Sequence, residues 1–356
     1  MSPEKDNFGS SGANQLTAVD WSNERHHRCV SACLVNSVYV QERDRPKNRN
    51  GSAASLAPPW WEFFGFELIR QLIDNDDQSI FGAIFEYRVP PPYCGHKSME
   101  KAPKYVIAFR GTLLKPDSYK RDLKLDSVVI LNKLNRYSRF EIAMEAVVNV
   151  VDLGGSNLKI WLAGHSLGAS IALLAGKTMA SNLGIFLQAF LFNPPYISAP
   201  IEMIQNQKMK DMFRAADSCL TAILAVTMKN HGQRSASKES FAQLSAWRPS
   251  LFVNLEDPFC KGFAGYYEKR EKMEEIGLKK IAKLATMNSK SSLYFCRKDS
   301  ENLRLLPSAY LVTNGSSSTG SKEGRKSPCS FLKRVHGIEQ WWDPYKNLPS
   351  KLYQYQ

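Results

Sequence analysis

Apolar side chains recur along this chain in short runs, divided by polar stretches and by glycine and proline breaks. Residues 79–87, 104–109, 159–163, 185–192 and 251–255 are apolar runs of strand length. Residues 62–73, 137–151 and 169–180 instead carry apolar positions at helical spacing, and the first of these ends at Asp74-Asn75-Asp76-Asp77. Residues 29–40 are small and apolar and predict a short helix. Residues 201–247 read as a long, mostly helical insertion with a polar centre, and residues 262–287 as a basic helix. Short strands are expected at residues 291–297 and 309–313. Residues 1–20 show no periodicity and read as a disordered tail. Residues 315–327 are rich in Ser, Gly and Lys and read as a mobile loop, and residues 346–356 as a C-terminal tail.

Strands alternating with helices through the middle predict an α/β domain over residues 21–345. Its sheet should be mostly parallel, with helices on both faces. The runs 79–87 and 104–109 are joined by a short connection and should be antiparallel neighbours. In such a sheet, reactive groups collect at the carboxyl ends of the strands, where loops can vary without disturbing the core.

One strand end carries a distinctive pattern. Gly164-His165-Ser166-Leu167-Gly168 fits G-x-S-x-G, between an apolar strand and an Ala- and Leu-rich helix. That is the setting of a nucleophile elbow, in which a serine occupies a sharp strand-to-helix turn. Gly164 and Gly168 remove side chains that would collide with the neighbouring strand and helix. The helix start aims N–H groups and positive dipole at an oxyanion formed beside Ser166.

A serine hydroxyl needs an adjacent base, and the base needs an orienting carboxylate. In folds with this elbow the chain order is serine, acid, histidine. Of the six histidines, His26, His27 and His96 precede the elbow. His165 belongs to the elbow and is expected to point away from the hydroxyl. His231 falls inside the insertion, which leaves His336 as the base. For the acid, Asp257 follows an apolar strand and precedes a proline, with Glu256 as the fallback. Asp211, Asp217, Asp299 and Glu301 lie in less suitable segments. Oxyanion donors are expected from the backbone N–H of Leu167 and from Gly111-Thr112 at the end of an earlier strand.

The net charge of +13 is concentrated late, at residues 261–304 and 322–334. A basic surface of this kind suits anionic lipid headgroups or acidic partners. It shows no aromatic interleaving or motif for nucleic acid, so no nucleic-acid partner is expected. No apolar run is long enough to span a bilayer, and residues 1–15 carry no apolar signal core. Seven scattered cysteines without C-x-x-C spacing favour reduced thiols and a cytoplasmic location. No metal or organic cofactor is implied, and the oligomeric state is not legible.

Taken together, Phe109-Arg110-Gly111-Thr112, the Gly-His-Ser-Leu-Gly block and a late histidine followed by aromatics resemble the class 3, fungal triacylglycerol lipase-like α/β-hydrolases. The chain looks most similar to a plant branch often labelled GDSL esterase/lipase. The features that carry this are Pro58-Pro59-Trp60-Trp61-Glu62, Ser79-Ile80-Phe81-Gly82-Ala83, Asn254-Leu255-Glu256-Asp257-Pro258 and His336-Gly337-Ile338-Glu339-Gln340-Trp341-Trp342. No Gly-Asp-Ser-Leu block occurs, so that label does not describe the chemistry. The resemblance implies an α/β-hydrolase fold with a helical insertion, and a lipase or esterase acting on lipid or acyl esters. It assigns Ser166, Asp257 and His336 as the triad and Thr112 and Leu167 to the oxyanion hole. It also implies a mobile lid, for which the loop after Thr112 and the 201–247 insertion are the candidates. A second reading is a catalytically weak lipase-like scaffold for protein interaction in plant signalling.

Overall fold

The computed structural model describes residues 3–16, 18–49, 54–88, 99–113, 138–154, 159–196, 241–281, 306–315 and 328–354. Among the described residues, eight strands form one sheet in which spatial order equals chain order. They are β1 (Phe66–Ile73), β2 (Ile80–Tyr87), β3 (Tyr105–Phe109), β4 (Ile160–His165), β5 (Gln188–Phe192), β6 (Ser250–Asn254), β7 (Ala309–Asn314) and β8 (Ser350–Tyr353). Strands β3 to β7 are mutually parallel, and β1, β2 and β8 add antiparallel edges. The antiparallel pairing expected for residues 79–87 and 104–109 is the β2–β3 pair.

Among the described residues, the helices α1 (Pro3–Ser10), α2 (Gly12–Gln15), α3 (Glu24–Asp44), α4 (Ser138–Gly154), α5 (Leu167–Leu183), α6 (Gly262–Glu275) and α7 (Pro328–His336) accompany the sheet. Central strands are buried on both sides, so their side chains alternate between two cores. In β4, Ile160 and Leu162 face one core, with α4, α5 and Trp247. Trp161 and Ala163 face the other, with α3, Trp60 and Trp341. Strands that alternate between two apolar layers read as unbroken hydrophobic runs, which is why the sequence shows them so plainly.

Several expectations need correction. Residues 62–73 are not a helix: a single 3-10 turn, Glu62–Phe64, leads into strand β1. Residues 1–20 are not a disordered tail throughout, because α1 and α2 occupy part of them. The Phe8 ring packs edge-on to Trp60 at 5.1 Å, and that tertiary contact stabilises turns too short to stand alone. Residues 346–356 are not simply a tail, since β8 pairs with β7 and Tyr353 stacks on Tyr267. The short helix expected at residues 29–40 is the 21-residue α3. Residues 201–240 of the insertion and the loop from residue 114 on, which make up most of the two lid candidates, lie outside the described residues, as do the loop at 316–327 and the run 291–297. Among the described residues, no helix is long and apolar enough to cross a membrane.

Candidate active site

The site is built at the carboxyl ends of β3, β4, β5 and β6. Ser166 follows β4 and caps α5, with φ 53° and ψ −123°. Left-handed φ is costly for a residue with a β-carbon, so the surroundings must hold it there. They do so from both sides. The Ser166 N–H donates to the Phe192 carbonyl at 2.9 Å, and the Ser166 carbonyl accepts from Ala169 N at 2.9 Å. The two glycines act as expected. A β-carbon at Gly164 would run into the Gly168 backbone, and one at Gly168 into the carbonyls of Phe109 and Arg110. The first turn of α5 therefore lies directly against β3 and β4.

His336 ends α7, and Asp257 follows β6. Across 170 residues of sequence, His336 Nε2 lies 3.0 Å from Ser166 Oγ. On the other side of the ring, Nδ1 lies 2.7 Å from Asp257 Oδ2. The structure thus brings together all three residues singled out as nucleophile, acid and base. Glu256, the fallback acid, pairs instead with Arg334 at 3.1 Å.

Asp257 is fully buried. Burial alone would raise its carboxyl. The neighbouring His336, together with hydrogen bonds from His336, the Phe259 N–H and Asn193, outweighs that and holds it below the usual carboxylate range. The Cys260 thiol also points at Asp257 Oδ2, at 3.2 Å, and burial beside that carboxylate keeps it protonated, with its pKa pushed well up.

At the end of β3, where an oxyanion donor was expected, Gly111 lies so close to Ser166 that an added β-carbon would sit 2.8 Å from its Cβ. Arg110 is not the exposed turn residue its chemistry suggests. It is buried, and its guanidinium donates to the Ile80 carbonyl at 2.6 Å and the Gly111 carbonyl at 2.7 Å, bracing the loop that continues into Thr112. Leu167 is the first residue of α5, so its N–H has no carbonyl four residues back within the helix.

Other supporting residues escaped the sequence reading. His165, expected only to point away from the Ser166 hydroxyl, is no bystander: its ring lies 5.1 Å from that of His336, centroid to centroid. Its Nε2 lies 2.7 Å from the His336 carbonyl, which can only accept, so Nε2 carries the hydrogen and Nδ1 is the acceptor. Tyr39 Oη, 2.8 Å away, donates to that Nδ1, and in turn accepts the Gly111 N–H at 2.7 Å. One chain of hydrogen bonds thus joins the Gly111 loop to the backbone of His336. Gln340 performs a similar service. Its Oε1 accepts from Asn254 and Asn314 at 2.7 and 2.9 Å, while its Nε2 donates to the Val335 and Gly337 carbonyls at 2.8 Å. The Gln340 and Trp341 positions were visible in the block after His336, but only as a resemblance. What they bind is non-local and leaves no trace in spacing. Among the described residues, no cluster of His, Cys, Asp or Glu suits a metal ion.

A mostly parallel sheet with a strained serine on a strand-to-helix elbow, an aspartate after a later strand and a histidine at the end of a late helix, defines an α/β-hydrolase fold. Residues 106–190, which span β3 to β5 and the elbow, match the lipase (class 3) family. A protein of Arabidopsis thaliana named GDSL esterase/lipase is 44% identical over 364 aligned positions, covering 100% of this chain and 99% of the relative. The chain belongs to the class 3 lipase family and is a carboxylic ester hydrolase. No solved structure matches it significantly.

Proposed function

We propose that this enzyme cleaves lipid or other acyl esters through a Ser166-His336-Asp257 triad and a covalent acyl-enzyme. The observation that carries the reading is the continuous hydrogen-bonded line from Ser166 Oγ through the His336 ring to Asp257 Oδ2. In the first half-reaction Ser166 Oγ attacks the ester carbonyl and passes its proton to His336 Nε2. Asp257 holds Nδ1–H and stabilises the imidazolium. The tetrahedral oxyanion is held by the backbone N–H groups of Thr112 and Leu167. As it collapses, the C–O bond to the alcohol breaks and His336 returns the proton to the leaving oxygen. Water, deprotonated by the same ring, then releases the acid and restores Ser166.

A fluorophosphonate probe tests this: wild-type protein should be labelled and Ser166→Ala should not, and equal labelling of the two would remove the assignment. Labelling with no turnover on any ester would favour the scaffold reading instead. Peripheral contact with anionic lipid rests on the +13 charge, and liposome cosedimentation with and without anionic headgroups tests it.

A further inference from the structure

We propose that Asn193 is a positioning residue, whose carboxamide sets the acid and the base in register from one point at the end of β5. The inference rests on the triad reading above and adds to it a residue that touches neither nucleophile nor substrate.

Asn193 is completely buried and has φ 45°, in the left-handed region. A backbone of that kind favours glycine, and asparagine is among the few alternatives tolerated there. Its own N–H continues the sheet by donating to the Phe252 carbonyl at 2.8 Å, which anchors the residue to β6. The side chain then divides its capacity among separate segments. Nδ2 donates to Asp257 Oδ2 at 2.7 Å and to the Val335 carbonyl at 3.2 Å, with Cys260 Sγ at 3.5 Å beside it. Oδ1 accepts from Trp341 Nε1 at 2.6 Å. An indole N–H can only donate, so the carboxamide cannot be flipped: its oxygen must face Trp341 and its nitrogen Asp257.

The partners are the triad acid, the residue immediately before His336, and the aromatic five residues after it. A single planar group therefore fixes the carboxylate and both flanks of the base. No other residue meets every demand. Glycine would satisfy φ but leave the Trp341 N–H and the Val335 carbonyl without this partner. Alanine would add strain and satisfy nothing. Aspartate would keep the shape but place a second carboxylate against Asp257, where like charges oppose each other.

The experiment uses the purified full chain with a short-chain p-nitrophenyl ester, and the fluorophosphonate labelling rate as a parallel readout. Asn193→Gly should lower kcat by about 10- to 100-fold with KM changed by less than about twofold. In an Asp257→Ala background the same change should cost several-fold less than it does in the wild type, because part of its effect runs through that carboxylate. Asn193→Asp keeps the side-chain shape and guards against a glycine variant that does not fold, which the thermal midpoint monitors. The added carboxylate should stabilise the protonated base and move the acid limb of the kcat/KM profile to higher pH by about one unit. The other titratable side chains gathered here are His336, His165, Tyr39 and Cys260, with the exposed Arg334–Glu256 pair beyond them.

Wild-type kcat with an unmoved profile in both variants would overturn the proposal. So would a full, independent loss from Asn193→Gly in the Asp257→Ala background, which would mark a merely structural role. Retained turnover and labelling in Ser166→Ala would instead overturn the triad reading beneath it.

Discussion

His165 shows how much a single buried side chain sets. Burial, reinforced by the neighbouring His336, pushes its pKa down to about 3 from an ordinary value of 6.5. It therefore stays neutral while its Nε2–H holds the His336 carbonyl. The unfolded chain takes up a proton at this position near pH 6.5, whereas the folded chain does not until about pH 3. Between those values the unfolded state binds more protons, so this residue's contribution is fully present above pH 6.5 and is lost as pH falls. Asp257, held below the usual range, adds a loss at the lower end of the same window. Urea midpoints measured from pH 7 to pH 4 should fall for the wild type. His165→Gln should flatten that slope, and an unchanged slope would contradict the assignment. At this scale the sequence was informative where chemistry is concentrated in a motif, as at Ser166. It was silent on Tyr39 and Asn193, whose roles come from partners 126 and 64 residues away.

Among elements, the elbow and β1 make opposite cases. The elbow was legible because its constraints are local: a buried strand, a turn with left-handed φ and a helix packed against the strand before it. Gly168→Ala would drive a β-carbon into the backbone of Phe109 and Arg110. It should cost at least about 3 kcal/mol, read as a lowered urea midpoint or as loss of soluble protein. β1 was misread for a physical reason. Its register shifts between Leu68 and Arg70 and again between Leu72 and Ile73, so the buried positions lose strict alternation. Phe66, Ile69 and Ile73 then fall at spacings of three and four, which mimic a helix. In fact Phe66 and Leu72 are buried, while Ile69 and Ile73 are exposed. Pairing with β2, which spacing cannot display, decides the matter.

For the whole molecule, the strand-helix alternation predicted the parallel centre and the helices on both faces. The chain ends were not predicted, because what orders them is tertiary. Arg28 on α3 is the clearest instance: its guanidinium donates to the carbonyls of Trp341, Asp343 and Lys346, more than three hundred residues away. This buried clamp fixes the stretch that follows His336 against α3. Arg28→Met fills similar volume but leaves three carbonyls without their donor. It should lower stability by about 2–4 kcal/mol and expose residues 341–354 to limited proteolysis before the rest of the domain. Resistance equal to the wild type would count against the clamp.

The strand sequence runs across the sheet in the order of synthesis, and His336 comes 170 residues after Ser166, whose hydroxyl its ring meets. If the proposed triad operates, a ribosome that has completed the elbow has made a serine whose base does not yet exist. On the same reading the growing polypeptide stays inert, even after residue 257 emerges, until residue 336 has cleared the exit tunnel and docked. On the proposed triad, the order of synthesis therefore delays the chemistry: the three groups can meet only after the last of them, residue 336, has been made.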